Sequence, residues 1–563
     1  MNPLLKIEQL SIDFPGHRAV HQLDLTLRSR ELLALVGESG CGKSTTALAI
    51  PGLLPPQARR QGRILFDGVD LLTRTPQQLR ALRGSQIAMI FQEPMTSLHP
   101  VHTLGSQLIE ALTIHQPLSR AAARRRAIEL LDLVRIPSPH QRIDSYAHQL
   151  SGGQRQRVMI AMAVACEPRL LIADEPTTAL DVTVQQQILE LLDNLRQQLS
   201  MGVLLITHDL GLVAERADRV AVMVRGEKVE EAVCDRLFAD PQHPYTRGLI
   251  ASSLHHQDSL HYPQQRLTEI RQQPDATSQT AFSLFTPPVL EFAPRDPHAA
   301  PLLSVRHLST DYVQQGERIR AVDDVSFDLS PGETLGLVGE SGCGKSTLSR
   351  TLLRLLKPAE GEILLAGVDI SQQNNTQLQP LRDKVQMIFQ DPYGSLNPRR
   401  SVGAILDSVL RVKGIKDARL RDKKIRTMLD RVGLAQNSVQ RYPHEFSGGQ
   451  RQRIGIARAL IVEPELVICD EAVSALDVSV QAQILNLLVA LKHEMSLSYL
   501  FISHDLAVVR YIADRVMVMQ QGKIVESAER TALWKAPRHP YTRQLMTAVP
   551  GTGRYPWQQE QMA

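Results

Sequence analysis

Three short motifs each occur twice in this chain of 563 residues. GESGCGKST occupies Gly37–Thr45 and returns at Gly339–Thr347, an offset of 302. SGGQRQR occupies Ser151–Arg157 and returns at Ser447–Arg453, an offset of 296, and HPYTR begins at His243 and again at His539 with the same offset. A period this long is far beyond the roughly 20–50 residues of solenoid repeats, so the chain is a duplicated domain. The copies are expected at 1–260 and 302–550, with a linker at 261–301 and a C-terminal tail at 551–563. The linker carries Pro263, Pro274, Pro287, Pro288, Pro294, Pro297 and Pro301 among Gln, Ser and Thr. Such composition predicts an extended, semi-rigid segment.

Within the first copy, short apolar runs alternate with amphipathic stretches. Leu32–Val36, Ile87–Phe91, Leu170–Ala173 and Val203–Thr207 read as buried strands; the stretches after Lys43, Asp181 and Asp209 read as helices. That alternation predicts an α/β domain with a mostly parallel sheet covered by helices. Residues 104–149 lack strand signals and carry clusters such as Ala121–Arg126, which predicts a helical subdomain inserted into each sheet core.

Charge and cysteine usage narrow the partners. The net charge is +4, too balanced for a protein that holds nucleic acid by its backbone. Arg124–Arg126 and Arg421–Arg426 therefore read as solvated helix faces. No apolar run approaches the roughly 18 residues needed to cross a bilayer, and MNPLLKIEQLSIDF has no secretion-signal pattern. Cys41, Cys166, Cys234, Cys343 and Cys469 are scattered and odd in number, which argues against a disulfide framework or a metal cluster and for a reducing compartment.

Gly37-Glu38-Ser39-Gly40-Cys41-Gly42-Lys43-Ser44 follows a strand and opens a helix, the context of a phosphate-binding loop. Its glycines let backbone N–H groups converge on phosphate oxygens, Lys43 neutralises the β/γ-phosphates and the Ser44 hydroxyl ligates Mg²⁺. Gly339, Ser341, Gly342, Cys343, Gly344, Lys345 and Ser346 repeat the arrangement, and Thr45 and Thr347 close the two motifs. Each copy also has an apolar strand ending in paired carboxylates, Asp174-Glu175 and Asp470-Glu471. The first of each pair can hold Mg²⁺ through water and the second can polarise the attacking water. Cys41 and Cys343, at helix starts beside lysines, are expected to be the reactive thiols, and Cys469 in its apolar strand to be inert.

This set resembles the ATP-binding cassette (ABC) superfamily over nearly the whole chain, twice. SGGQ opening a helix, at Ser151-Gly152-Gly153-Gln154 and Ser447-Gly448-Gly449-Gln450, resembles that superfamily's signature. The resemblance implies ATP and Mg²⁺ as ligands. It makes Gln92 and Gln390 the glutamines that sense Mg²⁺ and water, and it gives His208 and His504 contact with the γ-phosphate. Asp181 and Asp477 fall in the loop that crosses to the opposite site, while Phe14 and Tyr312 stack on adenine. It also implies that each signature binds the nucleotide held by the other copy, with both sites competent. Ala472 stands where the first copy has Pro176, a difference expected to alter the turn after Glu471.

FQEPMTSLHP (91–100), FQDPYGSLNP (389–398) and the HPYT segments resemble the ATPases of bacterial dipeptide, oligopeptide and nickel importers, here fused as in those of glutathione importers. HPYT itself reads as a turn before a C-terminal helix. The resemblance implies a peripheral protein on the cytoplasmic face of the inner membrane. Its partners would be two membrane-spanning permease subunits and an extracytoplasmic solute-binding protein, with no nucleic acid. The other reading is a soluble twin-cassette ATPase of translation or DNA repair. Its usual marks, a charged helical linker, zinc modules or long coiled coils, are not in the sequence.

Overall fold

A computed structural model describes residues 3–92, 97–177, 180–254, 260–274, 280–296, 298–314, 317–474 and 476–549. The tail 551–563, Pro297, and residues 93–96 of the FQEPMTSLHP segment therefore lie outside the described residues. The chain divides into two compact units, Met1–Ile250 with Gln272–Ser283, and Ala251–Arg271 with Leu284–Ala563.

In the first unit a six-stranded sheet runs in the order Glu227–Val233, Arg219–Val224, Leu32–Val36, Gly202–Ile206, Leu170–Asp174, Ile87–Ile90. All neighbours are parallel except the first pair, with Leu32 opposite Val203 and Leu170 opposite Gly202. Helices cover both faces of such a sheet, so its inner strands are rich in apolar residues; Leu32–Val36 and Leu170–Asp174 are buried at every residue, whereas the edge strand Glu227–Val233 is polar. A second, antiparallel sheet is built from His17–Leu27, Leu5–Phe14, Arg59–Phe66 and Val69–Asp70. The helical insertion is real: Leu104–His115 and Arg120–Leu133 start at Thr103 and Ser119, whose side chains accept from the amides of Ser106 and Ala122. The second unit repeats the pattern, with the six-stranded order Val385–Ile388, Leu466–Asp470, Ser498–Ile502, Thr334–Val338, Arg515–Gln520, Lys523–Glu529.

Two surface expectations change. Arg421 is buried: its Nε donates to Asp407 at 2.6 Å and its Nη1 to the carbonyls of Ile415 and Lys416. It ties two helices of the insertion together and is not a solvated charge.

The proline-rich segment, read above as an extended linker, begins as a strap on the second cassette. Leu260, Tyr262 and Leu267 join that cassette's hydrophobic core. The Tyr262 hydroxyl donates to Asp514 at 3.1 Å and accepts from Lys492 Nζ at 3.0 Å, and Lys492 also donates to Thr334 Oγ1 at 2.6 Å. Asn486 closes the strap further along: its Oδ1 accepts from the Leu267 amide at 3.1 Å and its Nδ2 donates to the Leu267 carbonyl at 2.9 Å. Buried polar groups are matched here one to one, which is what lets a polar segment sit in a core.

Candidate functional site

Each phosphate loop connects a central strand of its six-stranded sheet to a short helix, Lys43–Ala49 or Lys345–Leu352. Glycine is required at several points. A Cβ on Gly37 would lie 2.1 Å from the Met223 carbonyl oxygen, and one on Gly42, at φ 101°, 2.5 Å from that of Ala19. The corresponding approaches are 2.3 Å for Gly339 against Met519 and 2.3 Å for Gly344 against Ala321. Gly40 and Gly342 also have positive φ, at 79° and 82°.

The loop lysines are buried and folded into their own loops. Lys43 Nζ donates to the carbonyls of Gly37 at 2.7 Å and Glu38 at 2.8 Å. Lys345 Nζ does the same to Gly339 and Glu340, at 2.7 and 2.8 Å. A buried cation with two fixed carbonyl partners, in a glycine-rich turn that opens a helix, is an arrangement suited to phosphate oxygens.

The strand ends bring the carboxylates to the loops. Ser44 Oγ donates to Asp174 Oδ1 at 3.1 Å, and Ser346 Oγ to Asp470 Oδ1 at 3.4 Å. Burial pushes the Asp174 carboxyl up to about 6 against the Ser44 hydrogen bond, and burial with the neighbouring Glu471 charge raises Asp470 as well. A hydroxyl and a crowded, buried carboxylate form a hard oxygen donor set that fits Mg²⁺, which takes one or two protein oxygens and completes its shell with phosphate and water.

One residue on, Gln92 Nε2 donates to Glu175 Oε2 at 2.8 Å and Gln390 Nε2 to Glu471 Oε2 at 2.7 Å. His208 Nδ1 lies 3.5 Å from Glu175, and His504 Nδ1 3.3 Å from Glu471. Burial alone would raise the Glu471 carboxyl, but the His504 hydrogen bond and charge outweigh it and hold it low; His504 is raised in turn by Glu471, against its own burial. Both glutamates have left-handed backbone, φ 47° and 50°, and both amides donate to strand carbonyls at 2.9 Å, of Ile206 and Ile502. Such strained positions persist only when the surroundings fix them. The glutamate backbone is thus alike whether Pro176 or Ala472 follows it.

The SGGQ motif is a capping box. Ser151 Oγ accepts from the Gln154 amide at 3.3 Å, and Gln154 Oε1 accepts from the Ser151 amide at 3.1 Å. Ser447 and Gln450 do the same at 3.4 and 3.1 Å. The second glycine of each is forced by close packing: a Cβ on Gly153 would lie 2.5 Å from Val184 Cγ1, and one on Gly449 2.3 Å from Val480 Cγ1. Gly152 has room, with Leu180 at 3.7 Å, and nothing lies within 4 Å of a Cβ on Gly448. Asp181 caps the helix Val182–Leu199, accepting from Val184, and Asp477 occupies the same position before Val478–Met495.

The remaining expectations divide. Phe14 packs half-buried against the first core, whereas Tyr312 is 44% exposed. The thiol expectation is corrected for Cys343, which is buried and raised by that burial despite Lys345. Helix starts beside a lysine do not lower a thiol that solvent barely reaches. Sequence reasoning missed the hydroxyls of Tyr245 and Tyr541, which accept from the loop amides of Glu38 at 3.2 Å and Glu340 at 3.0 Å. The repeated HPYTR was the signal, but it does not say where the ring goes.

A phosphate loop, a hydroxyl–carboxylate pair, a glutamate bonded to glutamine with a histidine nearby, and a capped SGGQ helix occur in each unit and define an ATP-hydrolysing cassette, present twice. The sequence agrees: a family model described as ABC transporter matches residues 20–178 and 322–474, and one described as the C-terminal region of oligopeptide/dipeptide transporters matches 229–281 and 525–559. The chain belongs to the ABC transporter family, as a fused twin-cassette ATPase of the peptide import type whose ATP hydrolysis is coupled to transport. It is 49% identical to a glutathione import ATP-binding protein of Pectobacterium atrosepticum, over 97% of this chain and 89% of that one. The protein of the same name from Escherichia coli K12 is 48% identical over the same shares, and that of Salmonella paratyphi A 49% identical over 94% and 86%. Among the described residues no helix is long and apolar enough to cross a membrane.

Proposed function

We propose that the chain energises import of glutathione or a peptide of similar size. It would act from the cytoplasmic face of the inner membrane, with two membrane-spanning permeases and an extracytoplasmic solute-binding protein. The observation that carries this is the likeness to glutathione import ATP-binding proteins, 48–49% identical across both cassettes and the HPYT regions. The structure supports two hydrolytic sites, since neither cassette lacks a phosphate-loop lysine, a glutamine, a paired carboxylate or a histidine. Mg²⁺, bound by Ser44, Asp174 and Gln92 or by Ser346, Asp470 and Gln390, would neutralise the charge on the β/γ-phosphates.

In each cassette the lysine and loop amides hold the phosphates. The glutamine and glutamate orient water, and Glu175 or Glu471 takes its proton as oxygen attacks the γ-phosphorus and the bond to ADP breaks. The histidine, within 3.5 Å of that glutamate in both cassettes, keeps the carboxylate aimed. Phe14 and Tyr312 would stack on the adenine rings. Uptake of radiolabelled glutathione, a dipeptide and nickel by a strain lacking this chain, with and without the chain restored, tests the reading. Restored glutathione uptake supports it; restored nickel uptake alone overturns the peptide assignment.

A further inference from the structure

The HPYT turn is tied to the phosphate loop in both cassettes by the same chain of bonds. Glu230 accepts from the amides of Gln242 at 2.8 Å and His243 at 2.9 Å, which fixes the turn on its neighbouring strand. His243 Nδ1 accepts from the Tyr245 amide at 3.2 Å and starts the helix Pro244–Ala251. Tyr245, fully buried, extends its hydroxyl to the Glu38 amide. Glu526, His539 and Tyr541 repeat each contact: the Arg538 and His539 amides donate to Glu526 at 2.8 and 3.0 Å, the Tyr541 amide to His539 at 3.2 Å, and the Glu340 amide to the Tyr541 hydroxyl at 3.0 Å.

The peptide that receives this hydroxyl is the one that anchors the lysine. Gly37 O and Glu38 N–H belong to one planar peptide group. Its carbonyl accepts from Lys43 Nζ at 2.7 Å, and its N–H donates to Tyr245 at 3.2 Å. Gly339–Glu340 is held between Lys345 and Tyr541 in the same way, at 2.7 and 3.0 Å. Gly37 and Gly339 have no Cβ to fix that plane. We infer that Tyr245 and Tyr541 are positioning residues that lock this peptide plane and thereby set the loop lysine for nucleotide; the HPYT turn exists to carry them. The inference rests on the ATPase reading above. A free plane lowers the fraction of loops competent to bind, and apparent affinity falls by that fraction.

Phenylalanine keeps the buried ring and removes only the hydroxyl. In the full chain, Tyr245→Phe with Tyr541→Phe should weaken binding of a fluorescent ATP analogue with Mg²⁺ by roughly tenfold and raise the KM for ATP to match, with kcat at saturating ATP within about twofold. The melting temperature without nucleotide should stay near that of the parent, which a purely structural role would not give. If the pair fails to fold, His243→Ala with His539→Ala should show the same affinity loss, and His243→Asn with His539→Asn, which keep an acceptor at the helix start, should restore it. Unchanged analogue affinity in the phenylalanine pair, beside normal binding by the parent, overturns the positioning role alone. Failure of the parent to bind the analogue overturns the ATPase reading and this role with it.

Discussion

Gln390 donates its side-chain amide to Glu471 at 2.7 Å, and Gln92 makes the same bond to Glu175 at 2.8 Å. The equality matters because the residue after each glutamate differs. Glu175→Gln and Glu471→Gln should each retain ATP binding and each slow hydrolysis at the altered cassette by about 10²–10⁴-fold, the usual loss when a positioned base is removed. Single-turnover hydrolysis beside equilibrium binding checks this; wild-type turnover in the double variant would remove both glutamates from the mechanism.

Gly344→Ala should destabilise the second cassette by about 3 kcal/mol or more, because its φ of 112° and a 2.3 Å approach to the Ala321 carbonyl leave a methyl group no place. Gly448→Ala, with open space around its Cβ, should leave thermal stability nearly unchanged. Differential scanning calorimetry on the two variants separates them.

Maleimide at neutral pH should modify Cys166 first. It is the one cysteine of intermediate exposure, while Cys41, Cys234, Cys343 and Cys469 are all buried; burial raises the Cys166 thiol too, with the Glu167 charge adding to it, as burial raises Cys234, Cys343 and Cys469, so access and not ionisation decides the order. Mg-ATP should not protect it. Peptide mapping that finds Cys343 labelled ahead of Cys166 would contradict the burial argument.

The strap on the second cassette should be acid-sensitive. His261 is lowered to about 4, first by burial and then by Arg530 and Lys492, against the attraction of Asp514 and the Ala513 carbonyl. Because the folded state takes up this proton less readily than the unfolded chain, stability is lost as pH falls from about 6.5 to 4, by up to about 3 kcal/mol. His261→Gln should flatten that part of the stability–pH curve in denaturant titrations; an identical slope in parent and variant would refute the assignment.

The parallel core was legible because strands covered on both faces are near-continuous apolar runs, as at Leu466–Cys469 before Asp470. The antiparallel sheet was hidden: in Leu5–Phe14 the register shifts between Ile7 and Leu10, where Gln9 takes φ 50°, and the bulge breaks the alternation that marks a half-buried strand. That Ser44 would meet Asp174, and Gln92 would meet Glu175, was legible because the same residue types recur in the same order in both copies. What position could not show was burial, which reverses the expectation for Cys343, and long-range placement, which brings Tyr245 onto Glu38 across 207 residues of chain.

The bonds of Tyr262 and Asn486 also decide where this gene can be cut. A split after residue 301, at the first residue of the repeat, would strip Leu260, Tyr262 and Leu267 from the polypeptide whose core contains them, and would leave Lys492 and Asp514 sealed in with one partner fewer. A break before Leu260 keeps these residues with their core but parts Gln272–Ser283 from the first compact unit, where Phe282 meets the Tyr245 ring, so co-expressed halves should yield more soluble protein when the break precedes Leu260 than when it follows Pro301, without matching the intact chain. The join between the cassettes is thus less a tether than a segment shared out between them, its start a piece of the second cassette encoded upstream of it, and a two-gene relative would have to supply that piece from its own N-terminus.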